Sequence, residues 1–297
     1  MIWSKIRRLI GIRANILDGR AYADNIMNEI AKKLSALKER KGIVPGLAVV
    51  LIGDDPASQV YVRNKQKACQ RVGIDSYVKK FDKDVSLGQV LGFINELNSD
   101  IHISGILVQL PLPSHLNSEC VINSISPHKD VDGFHPLNAG RLLRGENCLE
   151  PCTPKGIIRL VEQTGEKIAG KNVCIIGRSN IVGKPVSLMF LKRDATVTIC
   201  HSKTDSLAKI AKGADILVVA AGKPNIIDDQ FVKEGAIVID VGINRTEIGL
   251  TGDVDFKKVS AKAGWITPVP GGVGPVTISM LLENTLLAAQ IRDDHEL

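Results

Sequence analysis

The sequence predicts an α/β protein of two domains, each a parallel sheet wrapped by helices, with the active site in the cleft between them. Three observations carry this. Short apolar runs alternate with helical stretches twice over, first up to about residue 113 and again from Lys171, and that alternation is the pattern of βα units. The chain has 297 residues, long enough for two domains. Residues 268–275 read Pro-Val-Pro-Gly-Gly-Val-Gly-Pro, six of the eight being proline or glycine. Such a segment has a stiff path and no bulky centre, which suits a loop with a flat ligand against its backbone. An interdomain connector can also be built this way.

From Leu17 the elements follow in order. A helix is predicted over about 19–40, then a strand over Gly46–Ile52 (Gly-Leu-Ala-Val-Val-Leu-Ile) and a Gly-Asp-Asp-Pro turn. A second helix runs from about Ala57 to Val72, with Gly73 as its stop. Strand Ser76–Phe81, helix Ser86–Asn98 and strand Gly105–Gln109 complete the first series. Residues 126–156 show no long element and are rich in Pro, Gly, Asp and Asn, so they read as a long ordered loop of functional interest. The second series begins with strand Asn172–Ile176, a glycine-bounded turn and a helix from about Pro185. Strand Thr196–Cys200, helix Ser206–Lys212 and strands Ile216–Ala220 and Ala236–Val241 follow, and a helix over Thr277–Ile291 ends the chain. That last helix is expected to cross back to the first domain. The expected domains are therefore 15–150 plus 277–297, and 151–276, with 1–14 as a basic extension.

Composition excludes several classes. The first 14 residues carry Lys5, Arg7, Arg8 and Arg13 and no acid, so the rest of the chain holds 34 basic and 32 acidic residues. No concentrated basic face is visible and aromatics are only 4%, which argues against nucleic acid as a partner. The longest apolar runs are short, as in Ile216–Ala221, far below the roughly 18 residues of a membrane-spanning helix. The extension has the flavour of a transit peptide but is short, and it lacks the apolar run of a secretory signal. None of the six cysteines forms Cys-x-x-Cys, and the six histidines show no His-x-x-x-His or Glu-x-x-His spacing. The chain reads as reduced and cytoplasmic, without a metal.

Several segments carry chemistry. Gly177-Arg-Ser-Asn-Ile-Val-Gly183 joins a strand to a helix start, where free N–H groups and the helix dipole favour a dinucleotide phosphate. By itself the turn also fits a plain strand-to-helix connection. The next strand ends Cys200-His201-Ser202 without an acid, which permits a 2′-phosphate that a carboxylate would repel. Arg178 can pair with that phosphate, so the second domain reads as Rossmann-type and NADP-binding, with Gly242 and Ile243 able to back the ribose or nicotinamide. Tyr61-Val-Arg-Asn-Lys65 places a phenol and an amine one helical turn apart, a pair able to move a proton, although the spacing is common on surfaces. Gln109-Leu-Pro-Leu-Pro113 ends a strand where ligands gather, and Gln109 can bond both a lysine and a substrate carbonyl. Asp130-Val-Asp132-Gly133 can present a carboxylate to an amino-pyrimidine edge, or can be a simple turn.

Together these segments resemble the bifunctional methylenetetrahydrofolate dehydrogenase/cyclohydrolase family. Five motifs stand in the family's order: Tyr61-x-x-x-Lys65, Val108-Gln-Leu-Pro-Leu-Pro113, Lys129-Asp-Val-Asp-Gly133, Gly177-Arg-Ser-x-Ile-Val-Gly-x-Pro185 and Pro268-Val-Pro-Gly-Gly-Val-Gly-Pro-Val-Thr277. The resemblance covers about Leu17 to Ile291. It implies NADP-dependent oxidation of 5,10-methylenetetrahydrofolate to 5,10-methenyltetrahydrofolate, then hydrolysis to 10-formyltetrahydrofolate. It implies a catalytic lysine at Lys65, supported by Tyr61 and Gln109, and a pterin-binding aspartate at Asp132. It implies nucleotide contacts at Gly177, Arg178, Ser179, Ser202 and Ile243, and folate contacts at Gly274 and Pro275. The implied partners are tetrahydrofolate derivatives, with or without a polyglutamate tail, and a second copy of the chain in a homodimer joined through the nucleotide domain.

Three other readings compete. A short-chain dehydrogenase also uses Tyr-x-x-x-Lys, but its nucleotide turn precedes that pair, whereas here the turn follows it. Another two-domain NADP-dependent dehydrogenase, of amino-acid or shikimate type, has this layout but leaves the Pro-Gly loop and Asp-Val-Asp-Gly unaccounted for. A sensor that kept the sites and lost the chemistry would have no need of Lys65 and Gln109.

Overall fold

The computed structural model describes residues 13–247 and 249–295. The basic extension therefore lies, up to Ile12, outside the described residues, as do Glu296 and Leu297. The chain divides into two compact units. The first holds Ala23–Cys152 and the chain from Ile278 onward; the second holds the chain up to Tyr22 and Thr153–Thr277.

The first unit is built on a three-stranded parallel sheet. β2 (Gly46–Ile52) and β4 (Ile103–Val108) are buried along their whole length, while β3 (Asp75–Phe81) is only partly covered. Their order is β3-β2-β4, which puts β3 at an edge. Continuous apolar runs are what a parallel strand covered on both faces requires. α1 (Gly19–Lys41) enters this unit from the second. α2 (Pro56–Val72) has strong end signals. Asp55 accepts from the Ser58 N–H at 2.7 Å, Pro56 opens the first turn, and Gly73 closes the helix in the left-handed region at φ 89°. α3 (Leu87–Ser99) starts with a reciprocal Ser86–Gln89 capping box.

The stretch expected to lack long elements contains helix. α4 (Ser118–Asn123) precedes it, α5 (Pro136–Leu143) lies inside it, and α6 (Cys152–Glu162) begins in it and belongs to the second unit from Thr153. α5 has a proline at its first position and Asn138 and Gly140 within it, so propensity gives little sign of it. Its hold is tertiary, through buried Asn138 and Leu142.

The second unit carries a six-stranded sheet. Its long members are β5 (Asn172–Ile176), β6 (Thr196–Cys200), β7 (Ile216–Val219) and β8 (Ile237–Asp240). α7 (Gly183–Leu191) follows β5 and α8 (Leu207–Ala211) follows β6. A small antiparallel pair, β9 (Asn244–Thr246) and β10 (Gly249–Thr251), and α9 (Phe256–Val259) precede β11 (Trp265–Ile266). β1 (Asn15–Ile16) pairs with β11, so residues 15–22, expected in the first domain, fall in the second unit. Strands of two residues cannot show the alternation that sequence reading depends on. The sheet order is β1-β11-β8-β7-β5-β6, parallel throughout.

α10 (Val273–His295) starts four residues earlier than expected. Gly274 and Pro275 are thus first-turn residues rather than loop residues, and proline is tolerated there because first-turn N–H groups have no intrahelical partner. From Ile278 the helix belongs to the first unit, where Met280, Leu281, Leu282, Leu286 and Ala289 are buried together with Asn284 and Thr285. Among the described residues no helix is long and apolar enough to cross a membrane.

Candidate active site

Lys65 occupies an unusual place on its helix. The buried residues of α2 are Ser58, Val62, Cys69 and Val72, and position 65 falls on the same stripe by helical spacing. An amine therefore stands, half-buried, where periodicity calls for an apolar side chain. Its Nζ donates to Gln109 Oε1 at 3.0 Å. Gln109 follows β4, and its own N–H donates to the Val50 carbonyl of β2 at 2.9 Å. The carboxamide is oriented as well, since Nε2 donates to the Leu110 carbonyl at 2.8 Å and Oε1 is left to face the lysine. Tyr61 lies one turn before Lys65 and is 38% exposed.

The Lys-Asp-Val-Asp-Gly segment divides its labour. Lys129 Nζ donates to the carbonyls of Leu97 and Asp100 at the end of α3, at 2.9 and 2.7 Å. Asp130 is buried and accepts from the N–H groups of Phe134 and His135 and from Asn138 Nδ2. The Val131 carbonyl accepts from Cys152 Sγ at 3.1 Å and from Asn284 Nδ2 of α10 at 2.9 Å. Gly133 lies too close to Pro151 for any side chain. With its neighbours so committed, Asp132 is held in place while its carboxylate forms no hydrogen bond among the described residues. Burial pushes that carboxyl from the ordinary 3.8 up to about 6; the charge of Lys65 pulls it down and that of Asp130 pushes it up by smaller amounts. Lys65, Gln109 and Asp132, far apart in sequence, thus meet in one place.

In the second unit, the turn after β5 is closed by glycine on glycine. A Cβ on Gly177 would fall 2.2 Å from the Ala220 carbonyl oxygen, and one on Gly183 would fall 2.1 Å from the Gly177 carbonyl oxygen. Ser179 has a local task, since its Oγ accepts from the N–H groups of Val182 and Gly183 at 3.1 and 3.4 Å. Arg178 and Ser202 are both exposed, and no ion pair involves Arg178 among the described residues. No acid stands at the end of β6, where Cys200 is followed by His201, Ser202 and Lys203. A tight glycine turn at a helix start, an uncommitted guanidinium and the missing carboxylate fit a nucleotide with a 2′-phosphate.

The Pro-Gly loop packs on protein backbone. A Cβ on Gly272 would fall 2.6 Å from the Pro268 carbonyl oxygen, and one on Gly19 would fall 1.8 Å from the Gly272 carbonyl oxygen. Gly274 differs: the nearest atom to a Cβ there is Ile243 Cδ1, at 4.0 Å. No backbone atom crowds that position, unlike Gly272. Ile243 itself is 47% exposed, so these two expected contact residues adjoin.

Comparison with known proteins agrees with this arrangement. Residues 17–132 match the catalytic domain of the tetrahydrofolate dehydrogenase/cyclohydrolase family, and residues 151–293 match that family's NAD(P)-binding domain. The chain is 55% identical over 278 residues to the bifunctional protein FolD of Moorella thermoacetica, covering 93% of this chain and 99% of that one. The chain belongs to the tetrahydrofolate dehydrogenase/cyclohydrolase family. Among solved structures, the bifunctional FolD enzyme of Campylobacter jejuni superposes with a TM-score of 0.92 at 49% identity, over 94% of this chain and 99% of that one. The FolD of Trypanosoma brucei, solved with NADP and an inhibitor, gives a TM-score of 0.90 at 39% identity, over 94% and 98%.

Sequence reading missed the supports of this family's site. Asn284 donates to the Val131 and Glu150 carbonyls from within the last helix, and its only signal was an amide, beside Glu283 and Thr285, between two pairs of leucines. The raised Asp132 carboxyl makes a measurable claim. An acid that protonates more readily folded than unfolded favours folding below about pH 4 and loses that contribution as pH rises through about 6. Asp132→Asn keeps the shape without the charge. It is expected to stabilise the protein near pH 8 by on the order of 1–3 kcal/mol, at about 1.4 kcal/mol per pK unit, with a smaller gain near pH 5. Urea midpoints at the two pH values check this; a loss of stability at pH 8 would refute it.

Proposed function

We propose that this chain oxidises 5,10-methylenetetrahydrofolate to 5,10-methenyltetrahydrofolate with NADP⁺ and hydrolyses the product to 10-formyltetrahydrofolate, with Lys65 carrying protons in the hydrolytic step. The observation that carries this reading is the 3.0 Å bond from Lys65 to an oriented Gln109, close to an unpaired acid at Asp132.

The hydrolytic step needs a proton carrier. Water attacks the methenyl carbon, a C–O bond forms, and the departing proton passes to the amine of Lys65. The ring C–N bond then breaks, and the lysine returns a proton to the leaving ring nitrogen. Gln109 fixes the direction of the amine. Asp132 accepts from the amino and N–H edge of the pterin, and Tyr61 offers its ring one turn away. Gly274 and Pro275 line the folate site.

Oxidation makes a different demand. Bound NADP⁺ supplies the hydride acceptor, and no acid or base is needed because the product cation is stabilised by two adjacent nitrogens. The chain's part is to orient. Gly177 and Ser179 form the phosphate turn, Arg178 and Ser202 receive the 2′-phosphate, and Ile243 backs the nicotinamide.

We place the protein in the cytoplasm, where its six free cysteines would stay reduced. We also assign it a homodimer joined through the second unit. β6 ends that unit's sheet with Ile199 39% exposed, and a sedimentation measurement decides the point.

The direct assay follows methenyltetrahydrofolate absorbance with NADP⁺, followed by its decay through hydrolysis. Lys65→Met is expected to lower cyclohydrolase turnover by about a hundredfold or more, the scale of a lost general acid–base group; normal turnover would remove Lys65 from the mechanism. Arg178→Ala is expected to raise the KM for NADP⁺ about tenfold or more, the scale of a charge-assisted contact, and to leave the KM for NAD⁺ nearly unchanged. Equal losses for the two cofactors would contradict the phosphate role.

A further inference from the structure

Two buried carboxylates hold the loops that leave β7 and β8. Asp253 is wholly buried. Its Oδ2 accepts from the N–H groups of Ala221 and Gly222 at 2.7 and 2.8 Å. Its Oδ1 accepts from the N–H of Lys223 at 3.0 Å and from Asn244 Nδ2 at 2.8 Å. Asp240, at the end of β8, is 4% exposed. Its Oδ1 accepts from the N–H groups of Gly242 and Asp253, both at 3.0 Å, and its Oδ2 from the N–H of Val254 at 3.0 Å.

Two glycines make room for this brace. A Cβ on Gly252 would fall 1.8 Å from Asp240 Oδ2, and one on Gly242 would fall 2.2 Å from Asp253 Oδ1. Each carboxylate therefore lies in the space that the other loop's glycine leaves empty. A side chain at either glycine would separate the two loops.

The braced loops are the ones a nucleotide would touch. Both leave the carboxyl ends of neighbouring parallel strands, where ligands of open α/β sheets lie. Ala220, just before the first loop, is the residue whose carbonyl closes the Gly177 turn. Ile243 stands between Gly242 and Asn244, both held by the brace, and its side chain reaches toward Gly274. The pair of acids thus ties the phosphate turn, through residues 220–223, to the wall beside the nicotinamide, through residues 241–244.

We infer that Asp253 and Asp240 are positioning residues of the oxidative half-reaction, setting the spacing of loops 220–223 and 241–244 that admits the nicotinamide nucleotide. The inference rests on the functional reading above. A carboxylate suits the task because both of its oxygens accept, so one side chain can gather N–H groups from two loops. An amide cannot replace it. In Asp253→Asn, whichever way the new carboxamide turned, its NH₂ group would face two N–H donors, either those of Ala221 and Gly222 or those of Lys223 and Asn244. At position 240 the less harmful orientation of an amide opposes only the Val254 N–H. Asp253→Asn should therefore be the more damaging of the two changes.

The test compares wild type, Asp253→Asn and Asp240→Asn in both reactions. Asp253→Asn is expected to raise the KM and Kd for NADP⁺ about tenfold or more, the scale of two donors left without acceptors. Asp240→Asn should raise them by a smaller factor. Cyclohydrolase turnover, assayed from methenyltetrahydrofolate without nucleotide, should stay near wild type in both, as should the KM for methylenetetrahydrofolate. Either substitution lowers thermal stability, because N–H groups lose their acceptor; a merely structural role would in addition reduce both activities in parallel, and that parallel loss overturns the inference. So does an unchanged NADP⁺ affinity in Asp253→Asn. Should that variant fail to fold, Asp240→Asn decides: NADP⁺ affinity weakened with hydrolysis intact supports the brace, and unchanged affinity refutes it. If the wild-type protein itself does not oxidise the folate with NADP⁺, the functional reading has failed and not the brace alone.

Discussion

The hydrogen bond between Lys65 and Gln109 is the contact on which the candidate site of the first unit depends. It joins the middle of a capped helix to the end of a buried strand, and each end is fixed independently. Asp55 and Gly73 set where α2 begins and ends, and the Val50 and Leu110 carbonyls hold the Gln109 backbone and side chain. A bond to a charged donor contributes about 1.5–3 kcal/mol, enough to hold an amine on a helical stripe otherwise given to core residues. A leucine at that position would pack more easily. That an amine stands there is the clearest sign that the unit is built for chemistry as well as stability.

Two buried aspartates and the half-buried Asp132 differ in how far their neighbours satisfy them. Asp130 gathers two N–H groups and an amide from the chain that follows it, and serves the loop. Asp240 gathers three N–H groups, yet burial and the nearby Asp253 still push it up to about 7. Asp132 gathers none, and its carboxyl is raised by burial. The acid left without donors is the one beside the lysine. Its unmet bonding capacity is a cost to the fold and an opening for a ligand.

Much of this was legible in the sequence, for stated physical reasons. β2, β5 and the α2–Gly73 boundary carry unmistakable signals: continuous apolar runs, a proline at the first turn and a glycine at the stop. Gln109 was readable as a polar residue at a strand end, Lys65 from its spacing to Tyr61 on one helix, and Asp132 from its place in the Asp-Val-Asp-Gly segment. What escaped were features that exist only after folding. β1 and β11 are two residues each and become strands by pairing with each other. α5 is held by burial against its own propensity. The Pro-Gly segment read as backbone suited to a flat ligand, but at Gly272 the space is taken by the Pro268 carbonyl, whereas Gly274 meets no backbone. The Asp240–Asp253 brace joins residues thirteen apart through interlocked glycines, a relation that no periodicity records. Ser179 read as a cofactor contact, and its hydroxyl also serves its own turn.

The hydrolytic role of this protein depends on where one amine points when substrate is bound. A crystal structure with a 5,10-bridged folate analogue would decide it. Lys65 Nζ is expected within about 3–3.5 Å of the bridging carbon or its nitrogens, the range of reacting groups, with Gln109 still bonded to it and the Asp132 carboxylate on the pterin amino edge. An amine turned to solvent, with the pterin held elsewhere, would contradict it.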